Sequence, residues 1–238
     1  MSKKNKRVLL KISWEALAWD TWNTFDPKIL EFIKDTLKDL QKEGIEIWIV
    51  IWWGNIFRWV FWENLGFDEN TSHYMWMTAT YINWLALVNY FWNNKLKSRL
   101  MTAVNYDWIG ERFDKQKAIK YLEDGKIVVF VWWTWNPYFT TDTWWVLRAI
   151  EIEADMIIKA TKVDWVYDKD PKKFDDAKIY DKVTYKEVLE KNLKVMDQTA
   201  IALARDEKMP LKVVNLFKKN ALKKAILGDK EGTSVVSE

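Results

Sequence analysis

The chain has 238 residues, 49% of them hydrophobic and 30% charged, and its 37 Lys+Arg against 34 Asp+Glu leave a formal net charge of +3. That is an ordinary globular composition, long enough for one large core and too balanced for a nucleic-acid surface. The absence of Cys excludes disulfides and thiolate metal sites, and with neither a signal-like h-region nor an apolar run near 18 residues the chain is expected to be soluble and cytoplasmic, with no membrane span.

Residues 1–6 (Met-Ser-Lys-Lys-Asn-Lys) are expected to form a disordered basic tail. The basic groups Lys3, Lys4, Lys6 and Arg7, like Lys218, Lys219, Lys223 and Lys224 near the other end, are expected on solvated faces. Short β-branched runs predict strands at Val8–Ile12, Ile45–Ile51, Arg99–Val104, Ile127–Val131, Met156–Ala160, Leu211–Asn215 and Ser234–Val236. Amphipathic stretches between them predict helices over Pro27–Glu43, Met75–Asn93, Asp114–Asp124, Asp142–Glu153, Thr184–Lys191, Asp197–Lys208 and Ala221–Leu227. The first has Asp26 as N-cap, Pro27 at its first position and Gly44 past its end. Thr184-Tyr185-Lys186-Glu187 has the form of a capping box. This alternation predicts one α/β/α domain over residues 1–238, three layers around an open, mainly parallel sheet. Ligands in such folds sit beyond the carboxyl ends of the strands, which nominates the loops Ser13–Thr24, Trp52–Trp62, Trp132–Thr141 and Thr161–Pro171.

Those same loops hold an anomaly. The chain has 18 Trp and only 7 Gly, and Trp14, Trp52, Trp53, Trp132, Trp133 and Trp135 stand where strands turn into loops. Such turns favour glycine, which alone reaches φ > 0 freely and lets backbone N–H groups approach a phosphate. Trp48, Trp62, Trp84, Trp92 and Trp108 are individually explicable as packing, and Tyr74, Met75 and Met77 read as core-facing.

The loops carry cations and hydroxyls as well. Lys11-Ile12-Ser13-Trp14 puts an ammonium beside a turn, and Trp52-Trp53-Gly54-Asn55-Ile56-Phe57-Arg58-Trp59 leads into a helix start with a guanidinium. Thr134 to Asp142 is hydroxyl-rich, though Thr140-Thr141-Asp142 could equally cap the helix that follows. Lys159 to Pro171 offers donors, an aromatic and carboxylates. Two cations, amide-rich loops and a hydroxyl cluster suit phosphoryl transfer, which is mostly positioning and charge stabilisation. No G-x-x-x-x-G-K-[ST] motif occurs, even with every Trp read as Gly, so a P-loop is excluded.

At these residues the chain resembles the bacterial uridylate (UMP) kinases of the amino-acid-kinase superfamily, from about Val8 to Glu238. The family openings K-[LI]-S-G-E-A-L and G-G-G-N-[IL]-[FW]-R-G correspond to Lys11–Leu17 and Trp52–Trp59. G-T-G-N-P-[FY]-[FT]-T-T-D corresponds to Trp133–Asp142, and I-E-A-D with K-A-T-K-V-D-G-V-Y-x-x-D-P to Ile152–Asp155 and Lys159–Pro171. Leu193–Asp197 followed by Ala204-Arg205-Asp206 is similar to uridylate kinases rather than to their carbamate, aspartate or acetylglutamate relatives.

The resemblance implies transfer of the ATP γ-phosphoryl group to UMP, giving UDP and ADP, with Mg2+ accompanying ATP and no metal site on the protein. It implies catalytic roles for Lys11, Arg58 and Asp142, with Asp142 holding Lys11 or the metal-bound phosphates. It places ATP against Lys11, Ile12, Ser13, Trp14, Gly54, Arg58, Thr161, Tyr167 and Asp170. It places UMP against Trp53, His73, Thr134, Trp135, Asn136, Pro137, Tyr138, Phe139, Thr140 and Thr141. His73 departs from the family pattern, standing where an Asp meets the UMP ribose. A homohexamer, activation by GTP (linked with Trp19–Thr24) and inhibition by UTP are further implications. The alternatives are another kinase of the superfamily, acting on a carboxylate or carbamate, or an inactive nucleotide-binding protein.

The tryptophans admit three explanations: UGA triplets meant as Gly and read as Trp, deliberate substitution, or a natural stacking protein. The first is preferred, because Trp and Gly together number 25, a normal glycine load for the family, and other motif residues stand unaltered.

Overall fold

The computed structural model describes residues 5–13, 26–52, 66–103, 110–131, 141–169, 171 and 173–237. Strands and helices alternate as expected, in an α/β architecture whose sheet pairings are mainly parallel. By contacts the chain divides into one unit of Met1–Arg7 with Ser13–Phe139 and another of Val8–Ile12 with Thr140–Glu238.

The first unit contains α1 (Pro27–Lys42), β2 (Glu46–Trp52), α2 (Glu69–Asn93), β3 (Ser98–Thr102), β4 (Glu111–Arg112), α3 (Lys115–Glu123) and β5 (Ile127–Val131). Its strands run β4-β3-β5-β2, all parallel. Asp26 caps α1 by accepting from the Lys28 amide at 2.8 Å, and Gly44 past its end takes φ 73°. α2 starts six residues before its apolar periodicity, because Asp68 accepts from the Thr71 amide at 2.9 Å and stabilises a polar first turn. Along α2, Met77, Tyr81, Trp84, Leu87, Val88 and Phe91 are buried. Tyr74, expected to face the core, is exposed instead, since it lies in those polar opening turns.

Arg7 corrects the expectation of a solvated basic run. It is buried, with Nε 2.7 Å from the Glu46 carboxylate and a second guanidinium nitrogen 3.6 Å from Glu123. The Lys6 carbonyl accepts from the Glu46 amide at 2.9 Å.

The second unit contains β1 (Arg7–Ser13) but for its two end residues, α4 (Thr141–Glu151), β6 (Met156–Thr161), β7 (Val166–Tyr167), β8 (Ile179–Tyr180), β9 (Lys182–Thr184), α5 (Tyr185–Glu190), α6 (Gln198–Asp206), β10 (Leu211–Asn215), α7 (Ala221–Leu227) and β11 (Thr233–Val236). Its strand order is β1-β6-β10-β11-β9, parallel except for the β10–β11 pair. β7 and β8 form a separate antiparallel ribbon. Both bonds of the Thr184/Glu187 capping box are present at the start of α5.

Strands such as β5 are buried along their whole length, as parallel strands covered on both faces must be. Trp48, Trp84, Trp144 and Trp145 are core side chains. Trp48 stacks on Phe130 at 5.4 Å and meets Phe113 edge-on at 5.7 Å. Trp92 is exposed on one side and donates its indole N–H to the Ser98 carbonyl at 3.0 Å. Among the described residues no Trp has a positive φ, whereas Gly44, Gly66, Gly125, Gly228 and Gly232 all do. No helix of the described residues is long and apolar enough to cross a membrane.

Candidate active site

β1 and β6 are adjacent and parallel, and their register sets Lys11 directly beside Lys159. Two like charges at matched positions repel, so an anion between them is required. Asp142 in the first turn of α4 supplies it, at a position where the helix dipole favours negative charge. Its Oδ1 lies 3.3 Å from Lys11 Nζ and its Oδ2 3.9 Å from Lys159 Nζ. The Trp145 indole N–H donates to Oδ1 at 2.9 Å, and Lys11 Nζ sits 5.7 Å from the centre of that ring. Lys159 also donates to the Val195 carbonyl.

Burial is the largest single influence on Asp142 and would push its pKa up, but the ammonium groups of Lys11 and Lys159, with hydrogen bonds from Trp145 and Lys11, outweigh it and hold the carboxyl below its usual range. Two cations share one anion, so the cluster carries an excess positive charge. That is a favourable place for a phosphate oxygen.

Lys159 also lines a cleft of about 480 Å³. Thr161, Trp165, Tyr167, Phe174 and Val195 contribute to its walls, with Asp168, Lys169, Lys173 and Lys194 among its charged residues. Apolar and aromatic walls with a few polar groups suit a planar base and its sugar. Asn192–Val195 is carried by the turn before Asp197, the N-cap of α6, which accepts from the Ala200 amide at 2.8 Å. Asp197 also accepts from the Thr143 hydroxyl at 3.1 Å, linking the cap of α6 to the first turn of α4.

Lys11 is 6% exposed, which rules out an ordinary surface lysine. Ile12 lies in the core beside Ala160, so only its backbone is open to a ligand. Ser13 is the last residue of β1, and Thr141 opens α4 and is buried. Thr161 ends β6 and closes a local turn, its hydroxyl donating to the Val163 carbonyl at 2.9 Å, while Tyr167 reaches the cleft from β7. The structure thus brings Lys11, Asp142 and Thr141 together at one sheet end, with Thr161 and Tyr167 on the cleft. His73 belongs to the first unit, on α2, with Nε2 3.8 Å from Glu69. Trp14, Trp53, Gly54, Arg58, Thr134, Trp135, Asn136, Pro137, Tyr138, Phe139, Thr140 and Asp170 lie outside the described residues, as does Trp19–Thr24.

Sequence reasoning gave no individual role to Lys159, Trp145 or Asp197. A lysine inside the apolar run Met156–Ala160 is the signal that could have marked the first, and an Asp opening a helix the last.

Comparison with known proteins bears on this arrangement. The profile of the amino acid kinase family covers residues 6–215. The uridylate kinase of Campylobacter jejuni is 46% identical over 235 residues, 98% of each chain. The crystal structure of UMP kinase from Bacillus anthracis superposes with a TM-score of 0.94 at 36% identity, over 99% of this chain and 98% of that one. UMP kinase from Ureaplasma parvum gives 0.91 at 32% identity, over 99% and 100%.

Proposed function

The chain belongs to the amino acid kinase family, among its uridylate kinases, and we propose that it transfers the γ-phosphoryl group of ATP to UMP through the paired lysines on Asp142. The observation that carries this is the Lys11–Asp142–Lys159 cluster beside a cleft shaped for a nucleotide. In the transfer, the bond between the γ-phosphorus and the β–γ bridging oxygen breaks and one to a UMP phosphate oxygen forms, leaving ADP and UDP. The protein positions and neutralises charge rather than forming covalent bonds. Lys11, freed from Asp142 by the incoming phosphates, faces the transferring group, and Asp142 fixes where that ammonium starts.

Asp142, the carboxylate of the cluster, fits Mg2+ arriving on the nucleotide phosphates, since Mg2+ keeps several waters and needs one or two carboxylates at most. Bound there, the ion would neutralise the charge developing between the phosphates.

Arg58, Ser13, Trp14, Gly54 and Asp170 join the ATP side in this reading, and Trp53, His73 and Thr134–Thr141 the UMP side. One catalytic domain belongs to the same reading, supported over residues 6–215 by the family profile, which enters both units. A homohexamer, GTP activation, UTP inhibition and a cytoplasmic location accompany it.

The reading of Trp as misdecoded Gly is retained for the loop motifs. Trp48, packed between Phe113 and Phe130, stays explicable as a core side chain. Intact mass of the protein from its native cell decides the point. A mass requiring eighteen tryptophans rejects the reading.

The function is tested by ADP release with UMP, aspartate or carbamate as acceptor. Turnover on UMP alone is expected. Binding of UMP with no ADP release would leave an inactive nucleotide-binding protein instead.

A further inference from the structure

We propose that Lys159 is a positioning residue for phosphoryl transfer, holding the second oxygen of Asp142 so that Lys11 stays aimed and releasable. The inference rests on the reading of Lys11 as the phosphate-facing cation.

Each Asp142 oxygen has its own partners: Lys11 and Trp145 on Oδ1, Lys159 on Oδ2. The carboxylate is therefore fixed in rotation as well as in place. Without Lys159, Oδ2 loses its cation and the carboxylate is free to turn both oxygens onto Lys11. Lys11 is then held more tightly in the resting state, and less of its charge reaches the transition state. Lys159 is itself anchored, since it donates to the Val195 carbonyl on the cleft wall. A nucleotide seated in the cleft thus bears on the same side chain that orients Asp142.

The placement argues for a built arrangement. β6 is otherwise apolar up to Ala160, and its lysine side chain is only 15% exposed. A long cation in that setting beside Lys11 is unfavourable without a shared anion. Among the described residues, the charged groups facing Asp142 are Lys11 from β1 and Lys159 from β6, while Asp197 at the α6 cap reaches the neighbouring Thr143. Further along α4, Arg148 pairs with Glu151.

The test compares Lys159→Met, Lys159→Arg and Lys11→Met in the full chain, with ATP and UMP varied separately across pH. Lys159→Met keeps the wild-type circular dichroism, lowers kcat on the order of 10–100-fold, and moves the acid limb of the kcat profile to higher pH, because Asp142 loses one of the charges holding it ionised. Lys159→Arg returns that limb toward the wild-type position. Should Lys159→Met fail to fold, Lys159→Gln reads the same limb, since it removes the charge and keeps a polar side chain. An unmoved acid limb with full kcat, or a change confined to the KM for ATP, overturns the inference. Lys11→Met separates the two readings. If it retains full kcat, the phosphate-facing role of Lys11 fails. If it is inactive while Lys159→Met matches wild type, only the role of Lys159 fails.

Discussion

Thr143 donates its hydroxyl to Asp197, and through that bond the turn that carries Asp142 is fastened to the cap of α6. Asp197→Ala removes a helix cap and this tether together. The expected cost is about 1–2 kcal/mol, or roughly 2–8 °C in Tm for a chain of this size. Asp197→Asn keeps an acceptor and recovers most of it. Calorimetry of the two variants checks the difference.

Asp142 gives the fold a dependence on acid. Its folded pKa lies below the ordinary carboxylate value of about 3.9, so its contribution is complete above that value and is lost as pH falls toward the folded one. Asp142→Asn removes this share of the acid sensitivity and leaves two lysines facing each other. Urea midpoints measured between neutral and acid pH should converge for the wild type and the variant as pH falls. Parallel curves would refute the assignment.

The Arg7–Glu46 pair is buried on both sides. Arg7→Met strands a carboxylate in the core and is expected to cost about 3–5 kcal/mol. Replacing both partners with Met restores most of the loss, since the penalty belongs to the orphaned charge. Equilibrium unfolding of Arg7→Met, Glu46→Met and the double variant reads this directly.

Tyr185 supplies an alkaline counterpart. Burial pushes its phenol well above the usual range, and its O–H donates to the Met209 carbonyl. The folded state favours the protonated form, so this contribution is present below about pH 10 and is lost as pH rises beyond it. Absorbance titration at alkaline pH should show one phenol that ionises only as the protein unfolds, and Tyr185→Phe should remove that phase.

Where local chemistry determines structure, the chain was legible. Leu211–Asn215 and Ala221–Leu227 fall at their expected bounds, and the Thr184 capping box forms as written. The start of α2 was missed because a cap, and not apolar periodicity, sets it. β4, β7, β8 and β9 span only two or three residues, too short to show an alternation. At the site, motif order pointed to Lys11, Asp142, Thr161 and Tyr167. The pairing of Lys11 with Lys159 is a product of strand register, which no local pattern encodes.

That register also governs when the enzyme comes into being. Lys11 and Asp142 are 131 positions apart along the chain, and β1 gains β6, one of its neighbours in the sheet, only once residues 156–161 have been made. On the ribosome the first strand, with its apolar residues Val8, Leu9, Leu10 and Ile12, emerges long before β6 can pair with it. A nascent chain stopped before α4 would carry Lys11 without Asp142. Lys11 is among the first residues synthesised, and the carboxylate that holds it follows 131 positions later.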